Sequence, residues 1–321
     1  MGSMWNPASV NIWRSSGEVP ADLDHSVVVV GNFDGVHLGH QQVITKAGEL
    51  AAELGVSTIV AVTFDPHPMA VLRPEHAPVS LTTLPVRAEL LAAAGVDALF
   101  VVEFDNEVAR WTPEEFIENI LVEALHARGV VVGANFRFGA KAAGDLATLE
   151  KMGAQHDFVV RGVALEGGPQ VWSSTYVRTC LAAGDVEGAA EALGRPYFVR
   201  GIVQHGDQRG RALGFPTANV PARGIAAPSD GVYAGWLRRL DTGEIYPAAI
   251  SVGTNPTFDG VRDRRVEAYC LDRDDLELYD VEVEIAFVAR IRGMVKFEGI
   301  DALIETMHDD VRRVRTILFD S

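Results

Sequence analysis

The sequence predicts an α/β domain with a parallel sheet, followed by an antiparallel β domain that ends in a helix. Three observations carry this. Apolar β-branched runs alternate with helical stretches as far as about Leu193, the pattern of βαβ units. After Pro196 the texture changes to short strand-like runs between Gly, Asp and Pro turns. A chain of 321 residues, 48% hydrophobic and 22% charged, is long enough for two good cores.

Val27–Val30 is a β-branched run and reads as a fully buried first strand. A helix follows over Leu38–Leu54, with Val43, Ala47, Leu50 and Leu54 on its apolar face and Gly55 past its end. Ser57–Phe64 reads as the second strand, Leu84–Ala94 as a helix stopped by Gly95, and Leu99–Glu103 as the third strand. Thr112-Pro113-Glu114-Glu115 supplies an N-cap, a proline at the first helical position and a capping box, opening a helix to about Leu125. Val130–Val132 and Phe158–Val160 are the fourth and fifth strands. Ser174–Ala183 and Asp185–Leu193 form two short helices, ended by Gly184 and Gly194, that close the first domain and bridge to the second. Tyr197–Gln204, Val232–Leu240, Tyr246–Val252, Val266–Leu271 and Val281–Val288 then suggest an antiparallel barrel or sandwich. The last helix, Ile300–Phe319, carries Leu303, Met307, Val311, Val314 and Leu318 on one face. The domains are expected at 4–186 and 187–321, with Met1-Gly2-Ser3 set aside as an expression remnant.

A net charge of −16 argues against a nucleic-acid binder, which usually presents a basic face. No apolar run approaches the roughly 18 to 20 residues that span a bilayer, and no basic segment leads into an apolar one as in a secretory signal. The two cysteines, Cys180 and Cys270, fall in different expected domains, so no bridge is expected; free thiols fit a reducing cytoplasm.

Two segments carry the signs of phosphate chemistry. Gly31-Asn32-Phe33-Asp34-Gly35-Val36-His37-Leu38-Gly39-His40 lies where a buried strand gives way to a helix. In open α/β sheets ligands bind at the C-terminal ends of strands, and helix N-termini present unpaired amides to phosphates. His37 and His40 are three residues apart, so both can face one phosphate region and donate to charge developing on ATP as pyrophosphate departs. Gly210-Arg211-Ala212-Leu213-Gly214-Phe215-Pro216-Thr217-Ala218-Asn219 is the second segment.

The first segment resembles the HxGH signature of the nucleotidyltransferase superfamily, in the form GxFDGxHxGH found in the bacterial riboflavin kinase/FAD synthetase family. Thr63-Phe64-Asp65-Pro66-His67-Pro68 resembles that family's TFDPHP, Val132-Gly133-Ala134-Asn135-Phe136-Arg137-Phe138-Gly139 its GANFxFG, and Ser173-Ser174-Thr175-Tyr176-Val177-Arg178 its SSTxxR. Gly214-Phe215-Pro216-Thr217-Ala218-Asn219 is similar to the PTAN motif of riboflavin kinases. Val199-Arg200-Gly201-Ile202-Val203, Gly231-Val232-Tyr233-Ala234-Gly235 and Val252-Gly253-Thr254-Asn255-Pro256-Thr257-Phe258 stand around it in the family order. The likeness runs from about Val10 to Phe319, with two departures: Leu38 stands where relatives often carry a basic residue, and Leu278-Tyr279-Asp280 lacks the glycine that commonly follows Leu-Tyr.

The resemblance implies a Rossmann-like nucleotidyltransferase domain and an antiparallel β-barrel riboflavin kinase domain with a terminal helix. It implies catalysis by His37, His40 and Glu267, the last as base on the riboflavin 5′-hydroxyl. ATP and phosphate binding falls to Gly31, Phe33, Asp34, Gly35, Ser173, Ser174, Thr175, Arg178, Gly210, Gly214 and Pro216. Flavin binding falls to Asp65, His67, Asn135, Phe136, Phe138 and Arg292. Thr217 and Asn219 supply hard oxygens suited to Mg²⁺. The implied activity is phosphorylation of riboflavin to FMN, then adenylylation of FMN to FAD by a second ATP, in a cytoplasmic monomer or weak homo-oligomer that binds small molecules, no nucleic acid and no membrane. Two rival readings are adenylylation of another phosphate ester, which leaves the PTAN half without a role, and a flavin-storage module, which predicts loss of His37, His40, Thr217, Asn219 or Glu267.

Overall fold

The structure is a computed structural model that describes residues 10–164, 172–205, 214–254 and 264–320. By compactness the chain divides into Met1–Ser173 and Ser174–Ser321.

The first unit contains β1 (Asn11–Trp13), β2 (Ser26–Val30), α1 (Leu38–Leu54), β3 (Ile59–Asp65), α2 (Pro68–Leu72), α3 (Leu84–Ala93) and β4 (Ala98–Glu103). There follow α4 (Pro113–Phe116), which runs on as a π-helix over Ile117–Ala124, then β5 (Ala127–Gly133), α5 (Leu146–His156) and β6 (Val159–Val163). The strands pair in parallel in the order β1-β4-β3-β2-β5-β6. The order therefore reverses at β2, between β3 on one side and β5 on the other. That switch point is where an open α/β sheet leaves a crevice for ligands.

Alternation along β2 feeds two cores. Val27 and Val29 pack with Ile44, Ala47 and Leu50 of α1 and Leu91 of α3. Val28 and Val30 pack with Phe116, Ile117 and Leu121 of the α4 segment and Leu149 of α5. Side chains two apart share a face, so a strand covered on both sides must be apolar throughout, as β2 is.

The second unit contains α6 (Ser174–Ala183), α7 (Val186–Leu193), β7 (Tyr197–Ile202), β8 (Thr217–Pro221), β9 (Gly231–Arg239), β10 (Ile245–Thr254), β11 (Arg264–Cys270), β12 (Glu282–Arg292) and α8 (Ile300–Phe319). Its sheet is antiparallel, in the order β7-β12-β9-β10-β11-β8. The two ends meet: just past β7, the Gln204 amide donates to the Asn219 carbonyl of β8 at 2.8 Å, closing the sheet into a barrel. Register shifts in β12 at Phe287/Ala289 and Arg290/Arg292 supply the curvature that closure needs. Helix α8 covers one side, where Val314 packs against Val232, Ala234, Leu271 and Ile291.

The expected strands and helices are present, with ends shifted by a residue or a few. The capping box at Thr112 forms, with Glu115 Oε2 accepting from the Thr112 amide at 2.7 Å. Four elements have no counterpart in the sequence reading. Helix α2 is a five-residue turn that His67 caps, its Nδ1 accepting from the Met69 amide. Strand β1 has only three residues and exists by pairing with β4. Helix α5 is opened by Asp145, whose carboxylate accepts from the Thr148 amide. Strand β8 is five residues long, contains an asparagine and ends in a proline, both poor strand formers, and exists by pairing with β11. One expectation needs correction: both cysteines lie in the second unit, on α6 and β11, because α6 packs with α7. Both are free and buried, and burial pushes the Cys270 thiol up to about 12.

Candidate active sites

The Gly31–His40 loop leaves β2 at the switch point. It holds Phe33 (φ 49°) and Val36 (φ 44°) in the left-handed region, which costs a non-glycine residue, and a β-branched one most. Asp34 sustains that shape. Its carboxylate, 2% exposed, accepts from the amides of Leu81 and Thr82 at 2.9–3.0 Å and from the Thr82 hydroxyl at 3.0 Å. The Gly35 amide donates to the same hydroxyl at 3.3 Å.

His37 is the N-cap of α1: its Nδ1 accepts from the His40 amide at 3.3 Å, which places the ring proton on Nε2. The His37 and His40 rings stack with centroids 3.6 Å apart, and Phe33 meets His40 edge-on at 5.1 Å. Gly39 is required beneath them, since a Cβ there would lie 3.1 Å from the His37 ring and 3.3 Å from the Trp172 carbonyl. Burial, the His37 imidazole and the Arg87 guanidinium together hold His40 well below its usual 6.5, so it is neutral at pH 7. His40 Nδ1 has no hydrogen-bond partner among the described residues.

The neighbouring strand ends bring two further segments to this edge. After β3, His67 Nδ1 accepts from the Met69 amide at 3.1 Å, and its Nε2 lies 3.3 Å from the Asn32 side-chain amide. Asp65, at a cis bond to Pro66, is 3.9 Å from Arg14. After β5, Asn135 is exposed, and Phe136 stacks on Phe138 at 5.4 Å.

In the second unit, register supplies the geometry. Glu267 of β11 stands directly opposite Asn219 of β8, and Tyr269 opposite Thr217. Cross-strand partners share a face, so these four side chains form one patch. Val266 and Ala268, between them, point into the barrel and are buried. Tyr269 packs among the residues beneath α8, so the patch lies on the helix-covered side. Phe215 meets Tyr269 edge-on at 5.1 Å and His308 of α8 at 5.2 Å. Hydroxyl, amide and carboxylate oxygens side by side form a hard donor set of the kind Mg²⁺ takes alongside phosphate oxygens.

A family model for FAD synthetase matches residues 19–175, and one for riboflavin kinase matches 193–318. The bifunctional riboflavin kinase/FMN adenylyltransferase of Listeria monocytogenes is 39% identical over 91% of this chain and 92% of its own. Those of Escherichia coli K12 and Bacillus subtilis are each 37% identical, over 88% and 89% of this chain and 90% of their own. This chain belongs to the bifunctional riboflavin kinase/FMN adenylyltransferase family. It is an enzyme with an N-terminal domain that joins AMP from ATP to FMN, giving FAD and pyrophosphate. Its C-terminal domain phosphorylates riboflavin to FMN. A crystal structure described as a macrolide-efflux protein from Streptococcus pneumoniae has the same fold, with a TM-score of 0.86 and 31% identity over 96% of this chain and 99% of that one. Among the described residues of this family member, no helix is long and apolar enough to cross a membrane.

Three expected contact residues are occupied by the fold itself. Asp34 is engaged by the 81–82 backbone and by Arg87 at 3.4 Å, and through these contacts it shapes the histidine loop. Phe138 is a core ring packed on Phe116 at 5.6 Å. Arg292 gives its Nε and Nη2 to Asp310 at 2.7–3.1 Å and its Nη1 to the Gly293 carbonyl at 3.0 Å, which fastens α8 to the barrel. Ser174 and Thr175 open α6 with Arg178 one turn on, and Ser173 precedes it. Gly214 (φ 84°) and Pro216 lead into β8, while Gly210 and the 255–258 segment lie outside the described residues. Sequence reasoning passed over Arg87, Asn32, Tyr269 and His308. A signal existed for Arg87: it stands three residues after Leu84 and four before Leu91, a charge on an apolar helical stripe.

Proposed function

We propose that adenylyl transfer runs on the His37–His40 pair and riboflavin phosphorylation on Glu267 with Thr217 and Asn219. The observation supporting the first is a neutral, stacked histidine pair at the sheet's switch point, on a loop bent into the left-handed region. Neutral imidazoles donate hydrogen bonds to the phosphate oxygens on which charge builds as pyrophosphate leaves, with no covalent nucleophile. Gly31, Phe33 and Gly35 shape the loop around the nucleotide. Ser173, Ser174, Thr175 and Arg178 provide hydroxyls and a guanidinium for phosphate oxygens. His67, Asn135 and Phe136 serve the flavin, with Asp65 at its rim.

For the kinase step, Glu267 orients the riboflavin 5′-hydroxyl and accepts its proton. Thr217 and Asn219 would hold Mg²⁺, which when bound neutralises charge on the ATP phosphates. Gly214 and Pro216 shape the phosphate approach. FMN from this step is the substrate of the other, and each step uses its own ATP. The protein acts in the cytoplasm, in keeping with its two unbridged thiols, as a monomer or weak homo-oligomer.

Chromatography of flavins after incubation with riboflavin, ATP and Mg²⁺ tests the reading. FMN followed by FAD is expected. FMN alone overturns the adenylyl-transfer assignment, and no new flavin overturns both.

A further inference from the structure

Helix α3 carries a buried cation that the reading above does not use. Arg87 is 8% exposed, and its guanidinium meets three segments of the first unit. Nη2 is 3.4 Å from Asp34 Oδ1 in the histidine loop and donates to the Thr82 carbonyl at 3.4 Å, while Nη1 is 3.5 Å from Thr63 Oγ1 at the end of β3. The Thr63 hydroxyl in turn donates to the Asn32 carbonyl at 3.1 Å, back in the loop. A planar fork with several donors can hold such a three-way junction; a single ammonium cannot.

We infer that Arg87 is a positioning residue for adenylyl transfer: it ties the histidine loop to the end of β3 and to the turn before α3, and through Asp34 it brings a fixed positive charge into the loop that carries His40. The inference rests on His37 and His40 being the adenylylating pair. Charge on His40 would meet the His37 ring stacked upon it and the field of the Arg87 guanidinium from α3, which is paired with Asp34 in the same loop. Asp34 is already matched to Arg87 and to the 81–82 amides, so it offers a second cation little compensation. The guanidinium therefore works in two ways, as a brace and as a fixed charge that disfavours imidazolium.

The two roles separate experimentally in the full-length chain. Imidazole NMR follows His40 titration without any substrate, and FAD formation from FMN and ATP is measured across pH. FMN formation from riboflavin serves as an integrity control in the other domain. Arg87→Met is expected to raise the His40 pKa, to move the matching inflection of the FAD profile in the same direction, and to lower kcat at least tenfold. Arg87→Lys should restore the titration while kcat stays reduced. An unmoved His40 titration in Arg87→Met overturns the charge role, and an unchanged kcat overturns the bracing role. If Arg87→Met does not fold, Thr63→Val keeps the charge and breaks one arm of the brace: lower kcat with an unmoved inflection supports the inference, and full activity overturns it. A wild-type chain that makes no FAD from FMN would sink the functional reading, while the NMR titration would still decide Arg87.

Discussion

His40 links protonation to stability. Its folded pKa lies below 6.5, so between those two values the unfolded chain binds a proton that the native chain refuses. This contribution is present above pH 6.5, declines as pH falls from there, and levels off below the folded pKa. Urea titrations of the wild type between pH 7.5 and 5 should show the loss, and His40→Asn should remove it. In activity, His40→Ala is expected to lower FAD formation by about 10²- to 10³-fold while leaving FMN formation intact. Gly39→Ala should reproduce the selective loss with both histidines in place, because its methyl would crowd the His37 ring at 3.1 Å and the Trp172 carbonyl at 3.3 Å and push the ring off its position. Equal loss of both activities in either variant would refute two independent sites.

At the scale of elements, cross-strand register makes the kinase site. Glu267→Gln keeps the shape of β11 and removes the base, so FMN formation should fall by about 10²- to 10⁴-fold with FAD formation from supplied FMN unchanged. The turn before β12 shows how a departure from the family is absorbed. Asp280 stands where relatives commonly carry glycine, and it adopts φ 63°, the conformation glycine favours. Aspartate tolerates that region at a cost, so Asp280→Gly should stabilise the second unit by about 1 kcal/mol at most and raise its thermal midpoint; a lower midpoint would mean that the side chain is itself needed. The Arg292–Asp310 pair calls for the opposite expectation. Asp310→Asn leaves a half-buried guanidinium without its counter-charge and should destabilise the barrel by about 1 to 3 kcal/mol.

For the whole molecule, two chemistries on one chain predict complementation. A mixture of the His40→Ala and Glu267→Gln variants should convert riboflavin to FAD, although neither does so alone. A lag that shortens as enzyme concentration rises would show FMN travelling through solution between molecules; no FAD from the mixture would mean that FMN passes only within one chain.

The local record in the sequence determined a great deal. The valine run of β2, the caps of α1 and α4 and the shift to short antiparallel strands after Pro196 are set by side-chain pattern over a few residues, and each is legible there. The motif residues His37, His40, Thr217, Asn219 and Glu267 are legible in the sequence through their likeness to a family. What the sequence could not tell is which polar side chains the fold consumes. Asp34 reads like a ligand for phosphate chemistry, yet 47 residues on the chain returns to saturate its carboxylate. Arg292 reads like a flavin contact and is spent on Asp310. Arg87, unremarkable on its helix, becomes the junction of three segments. Strand β8 is a strand because β11 lies beside it. Hydrogen bonds and ion pairs act over about 3 Å in space and are indifferent to separation along the chain. Local pattern therefore settles the elements, and only tertiary structure decides which charged groups remain to meet a substrate.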